Sequence, residues 1–126
     1  MPRKKSAGLT DAELRLMEVL WEHGSATVGD VVNAVKKKSP LAYSSVLTTL
    51  RILENKGYLK HVKEGRAFIY CPLVGRDEAC EKAVTHLLRR FFQGSPERLM
   101  LNLVERRKVG PEELKRLRER IAKEEP

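Results

Sequence analysis

A mainly α fold carrying one small β-hairpin and ending in an all-helical region is the class this sequence predicts, and two observations predict it. Apolar residues recur at helical spacing through most of the chain, and between residues 58 and 71 the period falls to two around a single glycine turn. A length of 126 residues allows one ordinary domain, or a compact unit plus an extension that must bury itself against something else.

The first helix begins at Thr10-Asp11-Ala12-Glu13, a capping box in which the Thr10 and Glu13 side chains satisfy orphan amide donors. Leu14, Met17, Leu20 and Trp21 follow at helical spacing, and Gly24 closes the helix. Ser25-Ala26 predicts a short edge strand. Thr27 then caps a second helix with Val28, Val31, Val32 and Val35 on one stripe. That helix runs out in Lys36-Lys37-Lys38, favourable against the C-terminal dipole, and Ser39-Pro40 stops it. A third helix starts near Tyr43, buries Val46, Leu47, Leu50 and Leu53, and ends at Lys56-Gly57. Two alternating runs, 58–63 and 66–71, separated by Glu64-Gly65, predict the hairpin, and Pro72 ends its second strand. From about Val74 the pattern is helical again. Residues 77–93 form one amphipathic helix, Gly94-Ser95-Pro96 is a stop, cap and restart, and Gly110-Pro111 begins the last helix.

Three short helices followed by a basic hairpin is the element order of a winged helix-turn-helix domain, here residues 1–74. The remainder, 75–126, offers more apolar surface than its helices can hide among themselves. It is expected to be a helical dimerisation domain, with Leu87, Phe91, Leu99, Leu103, Val104, Leu114, Leu117 and Ile121 at the interface of a homodimer.

The chain carries 25 Lys and Arg against 17 Asp and Glu, a net charge of +8, which points to a polyanionic partner. The excess is greater in residues 1–74, with twelve basic against seven acidic side chains. Arg3, Lys4 and Lys5 on an N-terminal arm and Lys60, Lys63 and Arg66 on the wing are placed to neutralise phosphates without reading sequence. The third helix supplies the reading surface. Tyr43, Ser44, Ser45, Thr48, Thr49 and Arg51 make a slim polar face able to enter the major groove of double-stranded DNA and bond base edges. Serine and threonine are poor helix formers, so a face selected for stability alone would use Glu, Lys, Gln and Ala instead.

Other classes find little support. The eight glycines fall at caps and turns, and there is no phosphate-binding glycine loop, HExxH or GxSxG, so no catalytic residue, metal ligand or cofactor is expected. No apolar stretch is long enough for a membrane span, and Met1-Pro2-Arg3-Lys4-Lys5 is not followed by a signal-peptide core, so a cytoplasmic location is expected. Cys71 and Cys80 are read as reduced, buried or strand residues, and His23, His61 and His86 as isolated structural or surface residues. The rival reading is a winged-helix protein-interaction module whose helical half docks a partner.

The segments LTDAELRLMEVLWEHGSATVGDVV, AYSSVLTTLRILENKGYLKHVKEGRAFIYCPLV and RDEACEKAV, in that order, resemble the penicillinase-repressor family (BlaI/MecI, with the CopY branch) over residues 8 to 105. The resemblance implies a homodimeric transcriptional repressor bound to a palindromic operator, with the C-terminal helices forming the dimer. Members acting in β-lactam resistance are inactivated by cleavage of an Asn-Phe bond. The matching position is Asn102-Leu103, where the asparagine is kept and the phenylalanine is not, so the resemblance does not carry the proteolytic switch over. The paired thiolates of the copper-responsive branch have no counterpart in ELKRLRERIAKEEP. The inactivating signal stays open among a membrane sensor protease acting at another bond, a ligand and changing protein concentration.

Overall fold

The computed structural model describes residues 8–36 and 40–124. They divide into two compact units, the first running to Val84 and the second from Thr85. The expected arm residues Arg3, Lys4 and Lys5, and Lys37-Lys38 of the lysine run, lie outside the described residues.

The first unit contains α1 (Asp11–His23), β1 (Ala26–Thr27), α2 (Val28–Val35), α3 (Tyr43–Asn55), β2 (Leu59–Glu64) and β3 (Ala67–Pro72). Both N-terminal helices start in capping boxes: Thr10 with Glu13, and Thr27 with Asp30. Gly24, at φ +87°, ends α1 in a conformation that a side chain would strain, and its N–H donates to the Leu20 carbonyl at 2.7 Å. The edge strand forms at Ala26–Thr27, one residue later than expected, so that Ala26 and Thr27 pair with Tyr70 and Ile69. All three strands are antiparallel in the order β1-β3-β2.

The hairpin turn is also shifted by one residue. Glu64 pairs with Ala67, leaving Gly65 and Arg66 as the two-residue loop. Gly65 has φ +64° and Arg66 is not among the positive-φ residues, the arrangement of a type II′ turn.

Leu16, Met17 and Leu20 of α1, Val28, Val31 and Val35 of α2, Val46, Leu50 and Leu53 of α3, and Tyr58, Leu59 and Tyr70 around the sheet form one core. Leu14 is not part of it, contrary to the expected stripe, and is exposed while Leu16 takes the inward position. The reason is Glu13, which is buried: its carboxylate accepts from Lys56 Nζ at 2.7 Å and from the Thr10 N–H at 2.9 Å. That partnership turns α1 so that Glu13, Leu16, Met17 and Leu20 face inward together. Leu47, expected inside, is half-buried against the edge of the core.

The first unit extends past the compositional boundary at 74 into α4 (Arg76–Phe91). Trp21 Nε1 donates to the Val74 carbonyl at 2.8 Å, Arg76 pairs with Glu18 at 3.2 Å, and Ala79 is buried. These contacts attach the first turns of α4 to the winged-helix half.

The second unit holds the end of α4 together with α5 (Pro96–Glu105) and α6 (Pro111–Glu124). Ser95 caps α5 by accepting from the Arg98 N–H, with Pro96 in the first turn where its missing N–H costs nothing. Neither α5 nor α6 has a buried residue, and in α4 only Ala79 is buried.

Candidate nucleic-acid interface

The third helix is held from one side only. Val46, Leu50 and Leu53 are fully buried, which at about 100° per residue leaves Ser44, Thr48, Arg51 and Asn55 on the stripe farthest from the core. All four are exposed, as are Tyr43 and Ser45. The stripe is therefore narrow, polar and free to meet a groove. Thr49 stands apart from this group. It is half-buried and its hydroxyl donates to the Ser45 carbonyl one turn back, at 2.9 Å, so its proton is committed within the helix. Asn55 was not anticipated from the sequence. Its signal was available in the spacing, four residues beyond Arg51 and seven beyond Thr48.

Lys56, next along the helix, is withdrawn from any such surface by its ion pair with Glu13. Burial acts to raise the Glu13 pKa and is the largest single influence, but the Lys56 hydrogen bond and charge and the two Thr10 hydrogen bonds outweigh it. The carboxyl is held below its ordinary value and stays ionised against Lys56.

The wing presents its cations in three directions. Lys60 lies opposite Cys71 and Lys63 opposite Phe68, which places them on opposite faces of the ribbon, while Arg66 sits in the turn. All three are exposed. Phe68 and Val62 are exposed on either face as well.

Between α3 and the wing lies a polar and aromatic seam. Glu54 of α3 meets Nδ1 of His61 on β2 with both carboxylate oxygens, at 2.7 and 2.8 Å. The His61 ring stands edge-on to Phe68, with centroids 4.9 Å apart, and tilted against Tyr70 at 5.6 Å. Burial pushes the Tyr70 phenol pKa up and the nearby Glu54 charge adds to this, with Arg51 acting in the opposite direction. His61 is thus not the isolated residue the sequence suggested. Cys80 likewise departs from expectation, being exposed on α4, whereas Cys71 is half-buried in β3.

In the second unit the expected interface residues are left open to solvent. Phe91 is 63% exposed and Leu87, Val104, Leu117 and Ile121 are also exposed, while Leu99, Leu103 and Leu114 are half-buried. Asn102 and Leu103 are inside α5, with helical backbone on both sides. Among the described residues there is no group of three or more His, Cys, Asp or Glu able to hold a metal ion, and no helix long and apolar enough to cross a membrane.

Comparison with known proteins places this arrangement among relatives. The family model described as penicillinase repressor matches residues 9–123. The penicillinase repressor of Bacillus licheniformis is 34% identical over 114 residues, covering 90% of this chain and 89% of that protein. Among solved structures, the DNA-binding domain of the repressor BlaI in solution is similar with a TM-score of 0.53 and 37% identity, over 60% of this chain and 92% of that one. The monomeric form of Bacillus licheniformis BlaI in complex with the blaP half-operator is similar with a TM-score of 0.50 and 36% identity, over 60% and 90% of the respective chains.

Proposed function

This chain belongs to the penicillinase-repressor family and is a DNA-binding transcriptional repressor, and we propose that it acts as a homodimer closing on a palindromic operator. The observation that carries the reading is the exposed stripe of α3, slim and hydroxyl-rich, standing opposite a fully buried anchor and beside a basic wing.

The division of labour follows from the chemistry. Ser44 and Thr48 can donate to or accept from base edges, and the threonine methyl can pack on a thymine methyl. Arg51 can reach a guanine or a phosphate. Tyr43, Ser45 and Thr49 flank that stripe and position the helix. Lys60, Lys63 and Arg66 neutralise phosphates, which supplies affinity and makes it salt-dependent. Leu87, Phe91, Leu99, Leu103, Val104, Leu114, Leu117 and Ile121 join two copies, since apolar rows that stay exposed or half-buried along the end of α4 and on α5 and α6 call for a cover. Two linked half-site binders then gain affinity together on a two-fold site.

The chemistry is binding and release rather than catalysis, and the reading places the protein in the cytoplasm with its DNA. Release is open among a membrane sensor protease acting at another bond, a ligand and changing protein concentration. Asn102-Leu103 would have to unwind from α5 before it could be cut, because nicking favours exposed loop tips.

The test compares binding to the palindromic promoter beside the protein's own gene with binding to random duplex, across a salt series. Preferential binding with log affinity falling by about 0.9 per neutralised phosphate against log salt is expected. Thr48→Ala should reduce discrimination between that operator and a mutated one by about 1 kcal/mol. Indifference to both salt and duplex sequence would sink the repressor reading in favour of a protein-interaction module.

A further inference from the structure

The wing outruns its support. β1 pairs β3 only at Ile69 and Tyr70, so from Lys63 through Phe68 the hairpin is a two-stranded ribbon with solvent-exposed side chains. Such ribbons are marginal by themselves in water. Yet its cations are useful only when they reach phosphates at the same time as α3 reaches bases, which demands a fixed angle between ribbon and helix.

We propose that Glu54 and His61 are positioning residues that clamp the wing to the recognition helix and set that angle. His61 pairs across the ribbon from Tyr70, where the sheet is three strands wide and one rung before that width ends at Val62–Ile69. Its Nδ1 is held at 2.7 and 2.8 Å by the two oxygens of Glu54, one turn from the exposed stripe. Its ring in turn braces Phe68, two rungs nearer the tip and on the same face, with centroids 4.9 Å apart. A side chain that is tied to α3 at one end and stacked on the free part of the ribbon at the other transmits the orientation of the helix to the wing. The charged and titratable groups around it are Glu54 and Arg51 from α3, Tyr70 from β3, and Lys63 two residues along β2. Neither Glu54 nor His61 needs to touch DNA for this role.

The inference rests on the DNA-binding reading for its meaning but not for its first measurement. In DNA-free protein, residual dipolar couplings of the Lys63–Phe68 amides, referred to those of α3, should shrink in both His61→Ala and Glu54→Ala. They should stay near wild type in Glu54→Gln and His61→Asn, which keep an acceptor and an N–H donor in place. On operator DNA the two alanine variants should lower the magnitude of the salt slope by about one to three, roughly one for each wing cation drawn off its phosphate. Discrimination against a mutated operator should change less than twofold, and the double alanine variant should bind no worse than either single one. Unchanged couplings in the alanine variants overturn the clamp, as do additive losses in the double variant or a failure of the conservative pair to restore the slope. A wild-type protein that ignores salt and sequence would instead remove the repressor reading and leave the coupling measurement to decide the clamp.

Discussion

Leu50 in α3 and Leu117 in α6 are the same residue type on amphipathic helices, yet Leu50 is fully buried and Leu117 is 43% exposed. The difference belongs to their surroundings. Leu50 is enclosed by side chains from α1, α2 and the sheet, all supplied by its own chain. The apolar row of α6, like that of α5, has no buried member. The first unit therefore carries its stability within one chain, whereas in the proposed homodimer the second draws stability from a second copy, and the two should fail in different ways. Leu50→Ala is expected to cost about 2–5 kcal/mol through lost burial and a residual cavity, by an amount independent of protein concentration in thermal or urea unfolding. Leu117→Glu should leave the unfolding of the first unit unchanged and shift the chain to monomers in sedimentation, with operator affinity lowered at least about thirtyfold, as expected when a charge enters an apolar interface worth about 2 kcal/mol or more. An intact Leu117→Glu dimer would break the comparison, as would a Leu50→Ala defect that concentration rescues.

The buried Glu13–Lys56 pair adds a pH-dependent part to the stability of the first unit. Because the folded protein holds the Glu13 carboxyl below its usual 4.5, the unfolded chain takes up the proton more readily. The stability this contributes is complete above the ordinary carboxylate range and is lost as pH falls through the lowered value. Lys56→Met strands the carboxylate in a buried site without its counter-charge, at a cost of about 2 kcal/mol near neutral pH. Once Glu13 is protonated the buried charge is gone, so the gap between variant and wild type should narrow as pH falls into and below the ordinary carboxylate range. Urea denaturation at a series of pH values reads this directly, and a gap that stays constant would show that Lys56 matters for packing rather than charge.

Local chemistry was legible and distant pairing was not. The two capping boxes, the glycines at 24 and 65, the Ser95-Pro96 restart and the inward residues Val46, Leu50 and Leu53 all depend on neighbours within a few positions, where spacing alone decides. Glu13 turned inward because Lys56, 43 residues away, closes over it, and that turn put Leu14 outside and Leu16 inside. The same holds for the boundary. Composition changes at 74, but Trp21 and Glu18 of α1 carry the first unit on into α4. At the candidate interface the hydroxyl stripe and the wing cations followed from pattern. Thr49's bond to its own helix and the Glu54–His61 contact were not legible, because a hydroxyl's choice of acceptor and a helix-to-strand hydrogen bond leave no periodic trace.

The smallest effect sharpens the same comparison by making one change in both places. Thr10 and Ser95 each cap a helix by accepting from the N–H three residues on, at 3.1 and 3.2 Å, so alanine at either position removes the same kind of bond at a typical cost of about 1 kcal/mol. In Thr10→Ala the capping box also loses its reciprocal geometry beside buried Glu13, and the loss should appear as a lower melting temperature of the first unit at every concentration. In Ser95→Ala the weakened helix is one whose apolar row is covered by a second copy in the proposed dimer. The same kilocalorie should then appear chiefly as weaker self-association, roughly fivefold, with the first unit melting as before. Paired calorimetry and sedimentation over a hundredfold concentration range separate the two. If Ser95→Ala lowers the first transition as much as Thr10→Ala does, the units are not independent and the contrast between Leu50 and Leu117 must be sought in packing within one chain.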